Sequence, residues 1–249
     1  MKITKFVFYN KLSLLLIVSF LTANTALAQS SEETIAKYFD QTIGYENLEI
    51  NNGNVHVNEY RILNNKNRYY PSEKFETGNI TYNNQDYFDV AIKYDLYKDI
   101  LVYKPQGSDV ISINLIQEKV SAFKINNKNF VYLNSLHFPL SPIKSGYYEK
   151  SASGKNFTLY IRHHKDKREI LKGASVFNEF DDNYEYFIQK DASFYKLSRK
   201  KDIIELFPDH KKKINDFYSS YRKLEKSDGP LFYEKLMTYI HNAVENTPL

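Results

Sequence analysis

Tyr87-Phe88-Asp89-Val90-Ala91-Ile92-Lys93-Tyr94-Asp95-Leu96 is the stretch whose reading decides the fold. Phe88, Val90, Ile92, Tyr94 and Leu96 fall on one side of an extended chain, and Tyr87, Asp89, Ala91, Lys93 and Asp95 on the other. That period of two belongs to a strand with one buried and one wet face, the usual condition of an antiparallel sheet. Lys98-Asp99 supplies a turn and Ile100 to Lys104 a return strand. Upstream, Gly78 to Tyr82 enters the same system through Asn83-Asn84-Gln85. Downstream, Ile111, Ile113 and Leu115 alternate with Ser112 and Asn114, and Val120 to Ile125 turns through residues 126–129 into Phe130 to Leu133. Short strands joined by Asn- and Asp-rich turns read as an antiparallel meander.

Pro139, Pro142 and Gly146 interrupt this pattern and mark a corner between two sheets or between halves 29–140 and 141–249. A second strand set follows at Tyr147 to Lys150, Lys155 to His164, Tyr184 to Gln189 and Ala192 to Leu197, with Phe157, Leu159 and Ile161 as an inward row. Ser151 to Gly154 and Lys190-Asp191 read as turns. Both ends are helical. Near the start, Ser30 or Ser31 caps a short helix with Ile35, Tyr38, Phe39 and Ile43 on one face and Gly44 as its stop. Near the end, Lys201 to Phe207 stops at Pro208. Ile214, Phe217, Tyr218, Tyr221 and Leu224 then form a stripe. After a break at Ser227 to Pro230, Leu231 to Val244 carries Phe232, Leu236, Ile240 and Ala243 in register. The expectation is a β-rich α+β protein: an antiparallel β-meander in one or two sheets, a short N-terminal helix and two to three C-terminal helices.

Residues 1–28 read as an address. Lys2, Lys5 and Lys11 form a basic region, Leu12 to Ala23 an apolar run too short for a comfortable membrane span, and Ala26-Leu27-Ala28 a cleavage site. The expectation is a signal peptide over 1–28 and a single exported domain over 29–249, in the periplasm or outside the cell. The leader holds three lysines and no acid, so its loss takes Lys+Arg from 34 to 31 against 30 Asp+Glu. A near-neutral protein gains little attraction for nucleic acid, so no nucleic-acid partner is expected. With no cysteine there is no disulfide, no thiol nucleophile and no site for a lipoprotein anchor. Beyond the leader no apolar stretch approaches membrane length, so the chain is not expected to be an integral membrane protein.

The residues that carry chemistry form no recognised constellation. His56, His137, His163, His164, His210 and His241 make no H-E-x-x-H or H-x-H. His163-His164 is the one pair, but adjacent strand residues face opposite ways, and the run Arg162 to Arg168 reads as a solvated hairpin end. Asp89 and Asp95 share the wet strand face about 20 Å apart, too far for paired acid–base work, and Asp99 follows in the turn. Ser193 to Lys196 and Ser198 to Lys201 match S-x-x-K without its companion motifs. There is no G-x-S-x-G, P-loop or G-x-G-x-x-G. Lys200-Lys201, Lys211-Lys212-Lys213, Arg222, Lys223 and Lys226 are interleaved with acids and read as solvated helix faces. No catalytic, cofactor-binding or metal residue is therefore assigned, and no cofactor.

Two stretches, Gly78 to Tyr103 and Ser145 to Phe217, resemble a recurrent type of exported protein in Bacteroidota. The residues that carry this are Gly78-Asn79-Ile80-Thr81-Tyr82, Tyr94-Asp95-Leu96-Tyr97-Lys98-Asp99, Gly146-Tyr147-Tyr148-Glu149, Ser198-Arg199-Lys200-Lys201-Asp202 and Leu206-Phe207-Pro208-Asp209-His210-Lys211-Lys212. The resemblance implies location and architecture, and no activity, cofactor or site. The leading functional expectation is a non-enzymatic binding or structural protein with a lipid or protein among its open partner classes. The alternatives are a carrier of an apolar ligand between the rows Phe88 to Leu96 and Phe157 to Ile161, and an enzyme whose site is assembled from remote residues.

Overall fold

The computed structural model describes residues 33–108 and 110–245, so the leader over 1–28, the caps at Ser30 and Ser31 and the side chain of Ala243 lie outside the described residues. The chain divides into two compact units, residues 1–48 and 49–249. In the first, residues 33–43 form helix α1, whose Ile35, Tyr38, Phe39 and Ile43 are all exposed.

In the second unit, twelve strands among the described residues form one antiparallel sheet. They are β1 (Asn54–Val55), β2 (Tyr69–Tyr70), β3 (Glu76–Tyr82), β4 (Gln85–Asp95), β5 (Ile100–Lys104), β6 (Ile113–Asn114), β7 (Val120–Ile125), β8 (Lys128–Leu133), β9 (Gly146–Ser153), β10 (Phe157–Lys172), β11 (Ser175–Lys190) and β12 (Ser193–Leu197). The order across the sheet is β1-β6-β5-β4-β3-β7-β8-β9-β10-β11-β12, with β2 pairing the end of β4. The sheet crosses the Pro139–Gly146 corner unbroken, because β8 pairs β9 from Phe130–Glu149 to Leu133–Gly146. Two-residue turns with positive φ make the tight hairpins: Asn83-Asn84, Asn126-Asn127 and, one residue later than the sequence suggests, Asp191-Ala192. Left-handed turn residues match the strand twist, and Asn tolerates that conformation best after Gly.

Strand β4 departs from simple alternation. Its pairing with β3 slips between Gly78–Val90 and Ile80–Tyr87, two residues on β4 (Phe88 and Asp89) opposing one on β3 (Asn79). Asp89 takes φ 52° at this bulge. One extra residue swaps faces, so the inward row is Tyr87, Val90, Ile92 and Tyr94, and Phe88 is displaced from it. Gly78 is required opposite the bulge, where a Cβ would overlap Lys124 O and the Ile92 side chain.

The expected wet face of β4 is also corrected at its end. Lys93 and Asp95 are buried. Residues 60–70 form a strap across them, hydrogen-bonded at both ends. Asn178 N donates to Arg61 O (2.7 Å), Leu63 N to Asn178 O (3.1 Å) and Phe180 N to Lys66 O (3.0 Å), while Leu96 N donates to Arg68 O (2.9 Å). Beneath the strap Arg68 Nε lies 2.9 Å from Asp95 Oδ2, both side chains 1% exposed. Lys93 Nζ sits 4.1 Å from the Tyr69 ring centroid and 4.7 Å from that of Phe75.

The C-terminal helices are α2 (Lys200–Leu206), α3 (Lys211–Ser220), α4 (Arg222–Ser227) and α5 (Gly229–Glu245), one more than expected because the stripe read through 209–224 breaks at Tyr221. They cover one face of the β9–β12 region. Phe157, Leu159, Ile161, Ile188 and Leu197 meet Ile203, Phe217, Phe232, Leu236 and Ile240 in one core cluster. Tyr221 departs from its expected inward place: it is exposed and stacks on Phe217 at 4.4 Å. The opposite sheet face carries Tyr148, Tyr160, Phe187 and Phe194 with Ile143 from the proline-rich corner. Among the described residues no helix is long and apolar enough to cross a membrane.

Candidate functional site

Strands β9 and β10 pair from Thr158–Ser153 to Ile161–Glu149. Beyond Glu149, β9 stays with β8 as far as Gly146. Asp99, from the β4–β5 turn, stands at this fork. A Cβ on Gly146 would overlap the Asp99 carboxylate, so only glycine allows the turn to come this close. Tyr94 Oη donates to Asp99 Oδ1 (2.5 Å), Gln117 Nε2 donates to Asp99 O (2.7 Å), and Arg162 Nη2 lies 3.9 Å from Asp99 Oδ2. Burial pushes the Asp99 carboxyl up, against the Tyr94 hydroxyl and Arg162, which pull it down.

Beside the fork lies a cleft of about 690 Å³, within the range of small-molecule pockets. Residues 162–166 of β10, 183–186 of β11 and 196–198 line it, with Leu96, Tyr97, Asp99, Lys144 and Tyr233. Because adjacent strand residues face opposite ways, the β10 and β11 lining residues fall into two sets on opposite faces of the strand pair, the two walls of the cleft.

One wall is aromatic and backed by a charge network in which His163 and Glu149 are buried and Lys128 and Glu234 partly exposed. His163 Nε2 is 2.7 Å from Glu149 Oε2, Lys128 Nζ is 2.8 Å from Glu149 Oε1, and Lys128 Nζ reaches Glu234 Oε2 on α5 at 3.0 Å. Burial raises the Glu149 carboxyl, but bonds from His163 and Lys128 outweigh it and hold the group below its ordinary range. An ionised carboxylate only accepts, so His163 Nε2 carries the proton. Tyr70, Phe130 and Tyr184 rings surround the imidazole at 5.2–5.5 Å. Tyr186 stacks on Tyr233 at 4.0 Å, and burial pushes the Tyr184 hydroxyl up to about 12.

The other wall is charged. Arg162 lies 3.6 Å from Glu185 and 3.9 Å from Asp99, both beyond hydrogen-bond reach. Its guanidinium sits 6.0 Å from the Tyr148 ring. The Tyr148 hydroxyl donates to Lys144 O (2.9 Å) and accepts from Lys144 N (3.2 Å), which places Lys144 next to the same tyrosine. His164 completes the group. Desolvation holds its pKa below the ordinary value, Asp166 and Glu185 oppose this, and Arg162 and Lys144 add to it. Lys196 pairs with Glu185.

The sequence reading of 162–168 as a solvated hairpin end is thus overturned. These residues lie in the middle of a sixteen-residue strand whose turn comes at Gly173, and His163 is buried. A signal was present: His163 continues the inward row Phe157, Leu159, Ile161 by the period of two. The other candidates scatter. Asp89 is at the bulge and Asp95 under the strap. His56 is 2.7 Å from Asn114 Oδ1 and 2.8 Å from Tyr69 Oη. His137 and His210 end short 3-10 turns and His241 is on α5. Ser193 opens β12, and Ser198 lines the cleft. Among the described residues no three His, Asp or Glu side chains are grouped to hold a metal ion. Compared with known proteins, the chain matches no family model, no curated protein and no solved structure.

Proposed function

We propose that the chain is an exported binding protein that holds a small polar ligand in the cleft between the β9–β10 fork and the start of α2. The observation that carries this is the cleft itself: about 690 Å³, with an aromatic wall at Tyr184, Tyr186 and Tyr233 and a charged wall at Arg162, His164, Lys144 and Glu185. A group of polar side chains gathered on one face, here Arg162, His164 and Glu185 with Lys144, is what orients a small polar ligand. The rows that an apolar carrier needs as cavity lining pack elsewhere: Phe157, Leu159 and Ile161 meet the helices, and Ile92 and Tyr94 are core residues. The enzymatic alternative draws on the His163–Glu149 pair at the cleft, in which a carboxylate orients an imidazole. No serine or threonine hydroxyl is hydrogen-bonded to His163 among the described residues.

Native mass spectrometry of the protein purified from its own host tests the reading. A bound small molecule is expected on the wild type and is lost in Ser198→Trp, which fills the cleft from its α2 side while leaving the melting temperature unchanged. A wild type without an adduct, or an adduct that survives Ser198→Trp, overturns it.

A further inference from the structure

We propose that the charged wall of the cleft is an oxyanion subsite, in which Arg162, Lys144 and His164 take a tetrahedral phosphate or sulfate group of the ligand. This rests on the reading of the cleft as a binding site and adds the chemical class of what it binds.

Hydrogen-bond capacity is the first argument. A guanidinium carries five donors and an ammonium three. Among the described residues Arg162 and Lys144 make no side-chain hydrogen bond, although both line the cleft. The Arg162 carboxylate neighbours at 3.6 and 3.9 Å hold it by charge alone and leave its fork open. Arg162 is not a freely solvated surface residue either: its side chain is 19% exposed, with Tyr148 on one side and Asp99 and Glu185 near its tip. An arginine held at this depth with its donors unspent is poised for a bidentate bond to an oxyanion.

Convergence is the second. Two cationic side chains arrive from two elements, Lys144 from the corner before β9 and Arg162 from strand β10, and both act electrostatically on His164, which lines the cleft beside them. A five-donor guanidinium and a three-donor ammonium from two elements suit a tetrahedral group with three or more acceptor oxygens better than a planar carboxylate with two. Nearby acids set the balance. Glu185 is shared between Lys196 and Arg162, at 3.6 Å from the latter, so it is the acid that competes with an anion for this guanidinium, while the Lys165 charge is drawn off to Asn67 O (2.9 Å) and Asp182 (3.3 Å).

Isothermal titration of the full mature chain with inorganic phosphate, inorganic sulfate and acetate, each at constant ionic strength, tests this. Phosphate or sulfate is expected to bind and acetate to bind at least tenfold more weakly. Arg162→Ala should weaken the oxyanion at least tenfold, and Arg162→Lys should restore part of the loss. Glu185→Gln removes a nearby negative charge and should tighten binding severalfold, an effect that misfolding does not produce. Vesicles containing phosphatidic acid distinguish the source: co-sedimentation abolished by Arg162→Ala assigns a lipid headgroup, and binding of free anion without vesicle binding assigns a soluble ester. No phosphate or sulfate binding, equal binding of acetate, or Glu185→Gln without effect overturns the subsite. If a neutral molecule is then found in the cleft by native mass spectrometry, the binding-protein reading stands without it.

Discussion

Replacing Asp95 should be among the most damaging single changes outside the helix core. Asp95 and Arg68 are each 1% exposed and 2.9 Å apart. Asp95 Oδ1 also accepts from Tyr97 N and Lys98 N, both at 3.1 Å. Burial pushes its carboxyl up, and Arg68 with those two amides pulls it back. Asp95→Ala leaves the guanidinium with Tyr69 Oη at 3.0 Å, Val57 O at 3.3 Å and a half-exposed Glu59 at 3.7 Å. None of these replaces a buried counter-charge. Removing one partner of a buried pair costs about 3–5 kcal/mol. For a domain of this size that lowers the melting temperature by roughly 6–20 °C, at about 2–4 °C per kcal/mol. Asp95→Asn keeps the acceptor for the turn amides and so isolates the charge. The double variant Arg68→Met/Asp95→Leu removes both charges together and should recover most of the loss, because a buried pair can often be exchanged for apolar groups. Thermal unfolding of the four proteins by circular dichroism measures this. A loss below about 1 kcal/mol for Asp95→Ala, smaller than any broken buried pair, or a double variant no better than the single, refutes the claim that the pair is a mutually dependent buried unit.

Two further outcomes are expected. Phe232→Ala, at a side chain 0% exposed between α3 and the sheet, should destabilise by about 3–5 kcal/mol. Exposed Lys212→Ala should stay within about 0.5 kcal/mol, and thermal melts of the pair compare them. Glu149 has a native pKa below its ordinary value of 4.5, so its ionised form adds stability that is fully present above that value and is lost as pH falls through the lowered one. Melting temperatures of wild type and Glu149→Gln should therefore converge as pH drops below about 4.5; a gap that stays constant into acid contradicts the assignment.

The meander was legible because its turns are chemical signals. Asn83-Asn84 and Asn126-Asn127 demand positive φ and sit between alternating strands. The helix stripe Phe232, Leu236, Ile240 was legible for the same local reason. Strand β10 beyond His164 was not, because Lys165 to Glu169 carries charge on both faces, and those charges are met by distant partners such as Asn67, Asp182 and Glu179. The bulge at Phe88–Asp89 left no trace in the alternation, since a polar residue at the slip looks like a wet-face position. Asp95 was misread as solvated because its cover comes from residues 60–70, a segment with almost no strand of its own. The cleft is less local still. It exists because β9 leaves β10, and Lys144, Arg162 and Glu185 meet there only through the sheet order.

The strap also constrains the order of folding. Asn64 bonds Glu179 and Lys66 bonds Asp181 across 115 positions of chain. Residues 61–66 therefore lack these partners until β11 exists, however early they are synthesised, whereas residues 68–70 find theirs on β4. Contacts of such separation slow folding, since the entropy of closing the intervening chain is lost before any contact rewards it. The Arg68–Asp95 pair is brought together by the local β2–β4 pairing, and the attachment of residues 61–66 to β11 falls among the last events. A chain cut short before β11 should keep the β3–β4 hairpin and the β2–β4 pairing and lose the anchors of residues 61–66, which makes the final third of the polypeptide the switch that completes its first.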